Sequence, residues 1–213
     1  YLLATDETGN VSKQKKLTVL DRTAPVIKKV EEVSDQSTKV KGTTEPNTTV
    51  ILKKDSKEVV RGTSDATGAF SVAILKQAAK TKLVLTVTDA AGNVSDPKTI
   101  TVTDKTAPTA PQVNEVTDRS TAINGKAEAK STVIVSIDQA EKWRTTVLAD
   151  GTFSIPVEKL VANAILEVTA VDEAKNISTV TKVTVKDRTA PSQPKVNEVT
   201  DRSTRVTGTT EKN

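Results

Sequence analysis

The sequence predicts an all-β chain built from tandem two-sheet sandwiches of about seven antiparallel strands each. Three observations point there: a β-biased composition, an internal period of 83 residues, and short alternating runs separated by turn residues. Val, Thr, Lys, Ala and Asp dominate the chain, and aromatics are 2% of its residues. Val, Ile and Thr are stiff at χ1 and fit the pleated strand better than the helix. A core so poor in aromatics implies thin layers of Val, Leu and Ile.

The period sets the organisation. Asp21-Arg-Thr-Ala-Pro25 returns as Asp104-Lys-Thr-Ala-Pro108 and as Asp187-Arg-Thr-Ala-Pro191. The same interval relates Asp6, Asp89 and Asp172; Asn10, Asn93 and Asn176; Asp35, Asp118 and Asp201; and Gly42, Gly125 and Gly208. Residues 21–103 align with 104–186 without a gap at 33 identities in 83 positions. The chain thus divides into the end of one repeat (1–20), two whole repeats (21–103 and 104–186), and the start of another (187–213). It opens inside a repeat and without Met, so it is expected to be a piece of a longer protein, with any targeting or anchoring segment elsewhere.

Within the first whole repeat, strands are expected at 26–33, 38–44, 49–54, 57–62, 69–75, 82–88 and 98–103. Phe70, Val72 and Ile74 share one face, as do Leu83, Leu85 and Val87, the period-two pattern of half-buried antiparallel strands. Between the runs lie Ser34 to Ser37, Glu45-Pro46-Asn47, Asp65 to Gly68, and Asp89 to Asn93. Asp and Asn bond their own backbone in turns, and Gly supplies positive φ. No stretch keeps a 3.6-residue period. Two substitutions between repeats carry structural meaning. Pro156 replaces Ala73 inside the fifth strand and removes a ladder donor, which predicts an edge strand or a bulge. Trp143 stands where the other repeat has Val60, and is expected to plug a strand surface rather than to form a binding aromatic.

Several function classes lose support. With no His and no Cys, the commonest general base and the thiolate and imidazole ligands are missing. No P-loop, dinucleotide turn or Gly-x-Ser-x-Gly elbow occurs, so the chain is not expected to be an enzyme. Net charge is +4, but the signs alternate, as in Lys53 to Arg61, and nothing aromatic interleaves them, which argues against nucleic acid. No apolar run is long enough to span a membrane. The opening residues lack the basic start and long apolar core of a signal peptide.

The ordered motifs D-x-T-A-P, V-x-E-V-x-D-x-S-T-x-V-x-G-x-x-E-x-x-x-T-V, G-x-F-S and T-D-x-A-G-N-x-S resemble the bacterial immunoglobulin-like repeats of large surface proteins and adhesins. The resemblance covers the whole chain. It implies Greek-key immunoglobulin-like β-sandwiches strung along a secreted or wall-anchored bacterial protein. It also implies work as stalk, spacer or adhesive segment, with Ca²⁺ between domains in some members. Lys175 departs from the pattern, standing where the family's turn has Gly, so that turn is expected to be looser.

The candidate site is acidic. Following the strands up and down places the links and alternate loops at one pole, and the Asp35 loop at the other, beside the next link. The candidate ligands are Asp21, Glu45, Asp89 and Asn93 at the first junction, Asp35, Asp104, Glu128, Asp172 and Asn176 at the central one, and Asp118 and Asp187 at the last. Ca²⁺ takes six to eight hard oxygens in a flexible cage, and such sets supply them. The competing role for each Asp is to form a turn or cap a bend. The links Thr106 to Pro111 and Thr189 to Pro194 each carry two prolines and predict semi-rigid spacers. Strands of six to eight residues span roughly 20–26 Å, so stacked modules give reach. Two functions are therefore carried forward. One is a spacer projecting another domain from a bacterial surface. The other is an adhesive module binding a host protein, a glycan, a wall ligand or a neighbouring cell. The other expected partners are the neighbouring repeats of the same chain.

Overall fold

The computed structural model describes residues 1–211, and the chain divides into two compact units, the first ending at Thr106 and the second beginning at Ala107. Lys212 and Asn213, the end of the expected partial repeat, lie outside the described residues. Among the described residues there is no helix, and each unit holds one two-sheet sandwich.

In the first unit the strands are β1 (Lys29–Val30), β2 (Lys39–Thr43), β3 (Thr49–Lys54), β4 (Lys57–Thr63), β5 (Ala69–Ala73), β6 (Lys82–Thr88) and β7 (Lys98–Thr101). One sheet has the order β1-β2-β5 and the other β4-β3-β6-β7, every neighbour antiparallel. The chain leaves the second sheet at β4, pairs β5 with β2, and returns at β6, which is the Greek-key crossing. The second unit repeats this with β8 (Gln112–Val113), β9 (Ala122–Lys126), β10 (Thr132–Ile137), β11 (Ala140–Thr146), β12 (Thr152–Pro156), β13 (Ile165–Val171) and β14 (Thr181–Thr184). Its sheets run β12-β9-β8 and β11-β10-β13-β14.

Seven strands stand where the residue pattern placed them; three are shorter by two residues, and the first is cut to two. The expected first strand, 26–33, pairs only at Lys29 and Val30. The ladder reaches only as far as the Lys28 and Glu31 N–H groups, which donate to the Thr43 and Lys41 carbonyls at 2.9 Å. Beyond it, Val26 N–H donates to the Glu45 carboxylate at 3.1 Å, and the Val33 carbonyl accepts the Thr103 N–H at 2.9 Å. Alternation predicts the core correctly. Phe70, Val72, Ile74, Leu83, Leu85 and Val87 are buried with Val33, Val40, Val50, Leu52, Ile100 and Val102. Burying such side chains contributes about 1.5–3 kcal/mol each.

Pro156 lies in β12, at the edge of its sheet and opposite Ala122, where a missing N–H breaks no ladder. Trp143 is half-buried and packs on the second core from β11, in the position of Val60. The Lys175 turn is not loose, which corrects the expectation. Lys175 adopts φ 73° against 91° at Gly92, and its N–H reaches the Asp172 carbonyl at 3.2 Å, as Gly92 reaches Asp89 at 3.3 Å. The turn geometry is kept and a side chain is forced into the left-handed region, a conformation that costs about 1–2 kcal/mol.

One buried polar knot exists in only one repeat. The Ser64 hydroxyl donates to the Glu45 carbonyl at 2.7 Å and accepts the Thr48 N–H at 2.9 Å. In the second repeat Val147 takes the place of Ser64 and joins the apolar core.

Outside the sandwiches, residues 1–20 are exposed, with a ladder of two isolated antiparallel bridges, Leu2 with Lys15 and Thr5 with Val11. Near the other end, β15 (Lys195–Val196) pairs with β16 (Gly208–Thr209) as the opening hairpin of a further repeat.

Candidate functional site at the links

The acidic residues are best followed along each link. The Asp35 loop does stand beside the following link, as strand counting placed it. Ser34 pairs with Thr103 in a parallel bridge. Thr103 N–H donates to the Val33 carbonyl, and Asp35 N–H donates to the Thr103 carbonyl, both at 2.9 Å. Where backbone pairing stops, the Asp35 carboxylate continues it. It accepts the Lys105 N–H at 2.9 Å and the Thr106 hydroxyl. Gln36 donates to the Lys105 carbonyl at 2.7 Å. Glu32 accepts the Thr103 hydroxyl at 2.9 Å and pairs with the Lys105 ammonium at 3.4 Å.

The second unit builds the same latch. Thr117 pairs in parallel with Lys186, and Asp118 accepts the Arg188 N–H at 2.8 Å and the Thr189 hydroxyl. Glu115 pairs with Lys186 at 2.6 Å and Arg188 at 3.2 Å. The Thr106 hydroxyl, then the Lys105 amide, holds the Asp35 carboxyl below its ordinary range. The Thr189 hydroxyl does the same for Asp118, against opposing desolvation.

The remaining candidates serve local turns or the start of a repeat. Asp21, Asp104 and Asp187 each accept the N–H two residues on, from Thr23, Thr106 and Thr189, at 2.9, 3.1 and 2.9 Å. Asp89 accepts both the backbone and the side-chain N–H of Asn93, at 2.8 and 2.9 Å, and Asn93 also donates to the Asp21 carbonyl at 3.3 Å. Asp172 holds Asn176 in the same way, at 2.8 and 2.7 Å. The Glu45 carboxylate grips Val26, and Glu211 grips Ser192 at the corresponding place, at 2.8 Å. Glu128 is exposed, and its carbonyl accepts the Ser131 hydroxyl at 2.7 Å.

Of the central set, Asp35 and Asp104 belong to the first unit, and Glu128, Asp172 and Asn176 to the second. Among the described residues no three Asp or Glu side chains gather as a metal-ligand group. The hydroxyls of Thr106 and Thr189 were the residues the sequence reading passed over. They were visible in the recurring D-x-T, where only the Asp was read.

The family model for the bacterial Ig domain matches residues 24–104 and 107–187. A cell wall-associated protease of Bacillus subtilis (strain 168) is 32% identical over 159 residues, 74% of this chain and 17% of that protein. The chain thus spans about a sixth of the length of this relative, and the name belongs to the whole protein. Among solved structures, the BSP domain of a biofilm associated protein is 24% identical. It has a TM-score of 0.37 and covers 79% of this chain and 30% of its own. The Rst D1-D2 structure is 13% identical with a TM-score of 0.45, over 78% of this chain and all of its own. With two matches that together cover most of its length, the chain belongs to the bacterial Ig domain family.

Proposed function

We propose that this chain is a spacer segment of an extracellular bacterial surface protein, one that projects another domain outward and has no catalytic role. The observation that carries this reading is the pair of latches. Each repeat holds the first three residues of its successor, Asp104 to Thr106 and Asp187 to Thr189, against its own fold. Only the proline-bearing remainder of each link is then left to bend, and proline holds its predecessor extended. The relative named for its association with the cell wall supports the location. Against the adhesive alternative stands Trp143, the lone tryptophan, whose ring packs partly on the core. Ca²⁺ at the junctions would compete with the hydrogen bonds already made by Asp35, Asp104, Asp118 and Asp187, so stiffness is assigned to the latches and prolines.

Small-angle scattering of the chain in excess Ca²⁺, and again with chelator, tests this. The expected result is one extended profile in both. A maximum dimension that grows with Ca²⁺ moves the stiffening to the metal, and a compact profile removes the spacer role.

A further inference from the structure

We propose that the Asp35 and Asp118 latches carry tension, so that a repeat pulled through its neighbours is held by a shear clamp that includes its successor's link. The inference rests on the spacer reading, since a projecting segment is pulled along its own chain.

The geometry follows from strand direction. Residues 33–35 run parallel to 103–106, and residues 116–118 run parallel to 186–189. Tension enters the first segment from its N-terminal side and the second from its C-terminal side. In a parallel pair these two pulls oppose each other along the strand axis. The bonds between the segments then lie side by side across the load and must fail together. An antiparallel hairpin pulled by its open ends, such as the bridge of Leu2 with Lys15, would open one bond at a time.

The carboxylate enlarges the clamp. Two backbone bonds hold residues 33–35 to Thr103, and Asp35 adds two more on Lys105 and Thr106, where backbone pairing has ended. Asp118 adds the same two on Arg188 and Thr189. An Asp serving only a turn bonds its near neighbours, as Asp65 does with Thr67 and Ala69. Asp35 and Asp118 instead reach partners 70 and 71 residues away. Two repeats that differ at most positions keep this contact in the same form.

Constant-force unfolding of the full chain, held by its two ends, gives one step per repeat. Asp35→Ala should raise the unfolding rate of one step by about tenfold or more at a given force, because bonds present in the native state are missing at the barrier. The other step should stay in place, and Asp118→Ala should move that other step instead. Asp65→Ala removes three hydrogen bonds at a turn off the load path, and should leave both force-dependent rates within about twofold. If Asp35→Ala abolishes its step, Thr106→Val, which removes one latch bond, should still shift it. Unchanged rates in both latch variants, or an equal shift with Asp65→Ala, would overturn the proposal. A compact scattering profile with the force signature intact would instead remove the spacer reading and leave the clamp.

Discussion

Replacing Gly125 by alanine tests how closely the neighbouring strands of one sheet, β8 and β12 with its Phe153 ring, close over the glycine. Gly125 sits in β9, between the two-residue strand β8 and the Phe153 ring. A Cβ built there would lie 2.6 Å from Phe153 Cζ and 2.7 Å from Cε1, and would collide with the Gln112 backbone carbonyl. The ring tip can tilt, but the carbonyl is fixed by the Gln112–Lys126 pairing. Overpacking of this kind costs about 1–3 kcal/mol, and prising β8 away forfeits about 1 kcal/mol more per hydrogen bond lost. A loss of about 2–4 kcal/mol in a domain of this size lowers Tm by about 8–32 °C. Trp143 makes the assay selective, because the chain has one tryptophan and it packs on the second core. Its fluorescence should melt early in Gly125→Ala. It should melt as in the parent in Gly42→Ala, where the same clash with Phe70 falls in the first repeat. An unshifted Trp143 transition in Gly125→Ala, or an equal shift from Gly42→Ala, would refute the close-approach reasoning.

Two other measurements follow from the turns and carboxylates. Lys175→Gly should stabilise the second repeat by about 0.5–1 kcal/mol, since relief of left-handed strain exceeds the added chain entropy of glycine; a lower Trp143 midpoint in urea would contradict this. Acid should weaken the latches. Asp35, Asp65, Asp89 and Asp118 all have folded values below the ordinary 3.8, so the folded state binds fewer protons than the unfolded one. Their contribution is therefore complete above about pH 4 and is lost as pH falls through the lowered values. Asp6, brought down to about 2 by its bonds to Asn10 and Thr8, should release its loop last. Thermal melts from pH 7 to 2 should be flat to about pH 4.5 and then fall, and a loss centred near pH 6 would be inconsistent with carboxylates of this kind.

How much was legible in the sequence depended on range. Period-two alternation is a local signal, and it is enough to place Leu83, Leu85 and Val87 together on one buried face. The first strand was overextended because VIKKVEEV has strand composition, whereas its pairing is set by distant acceptors and by Glu45. Lys175 misled for a different reason: the Asp172–Asn176 bonds hold the turn closed whatever residue occupies the left-handed position. The latch needed a contact between Asp35 and Thr106, far apart in sequence. Counting strands brought the loop to the link, but not the hydroxyl to the carboxylate. The polar knot at Ser64 and its apolar replacement Val147 were equally invisible, since both are small residues at the end of similar runs.

The stiffness of the link is measured most directly by the distance distribution between spin labels on the two repeats. The chain has no cysteine, so Ser71→Cys and Ser154→Cys, both exposed, can be labelled cleanly. A latched link predicts a narrow distribution that is unchanged by Ca²⁺ or chelator and broadens when Asp35→Ala is added. A broad distribution in the parent chain, or one that Asp35→Ala leaves as it was, would contradict the assignment of stiffness to the latch.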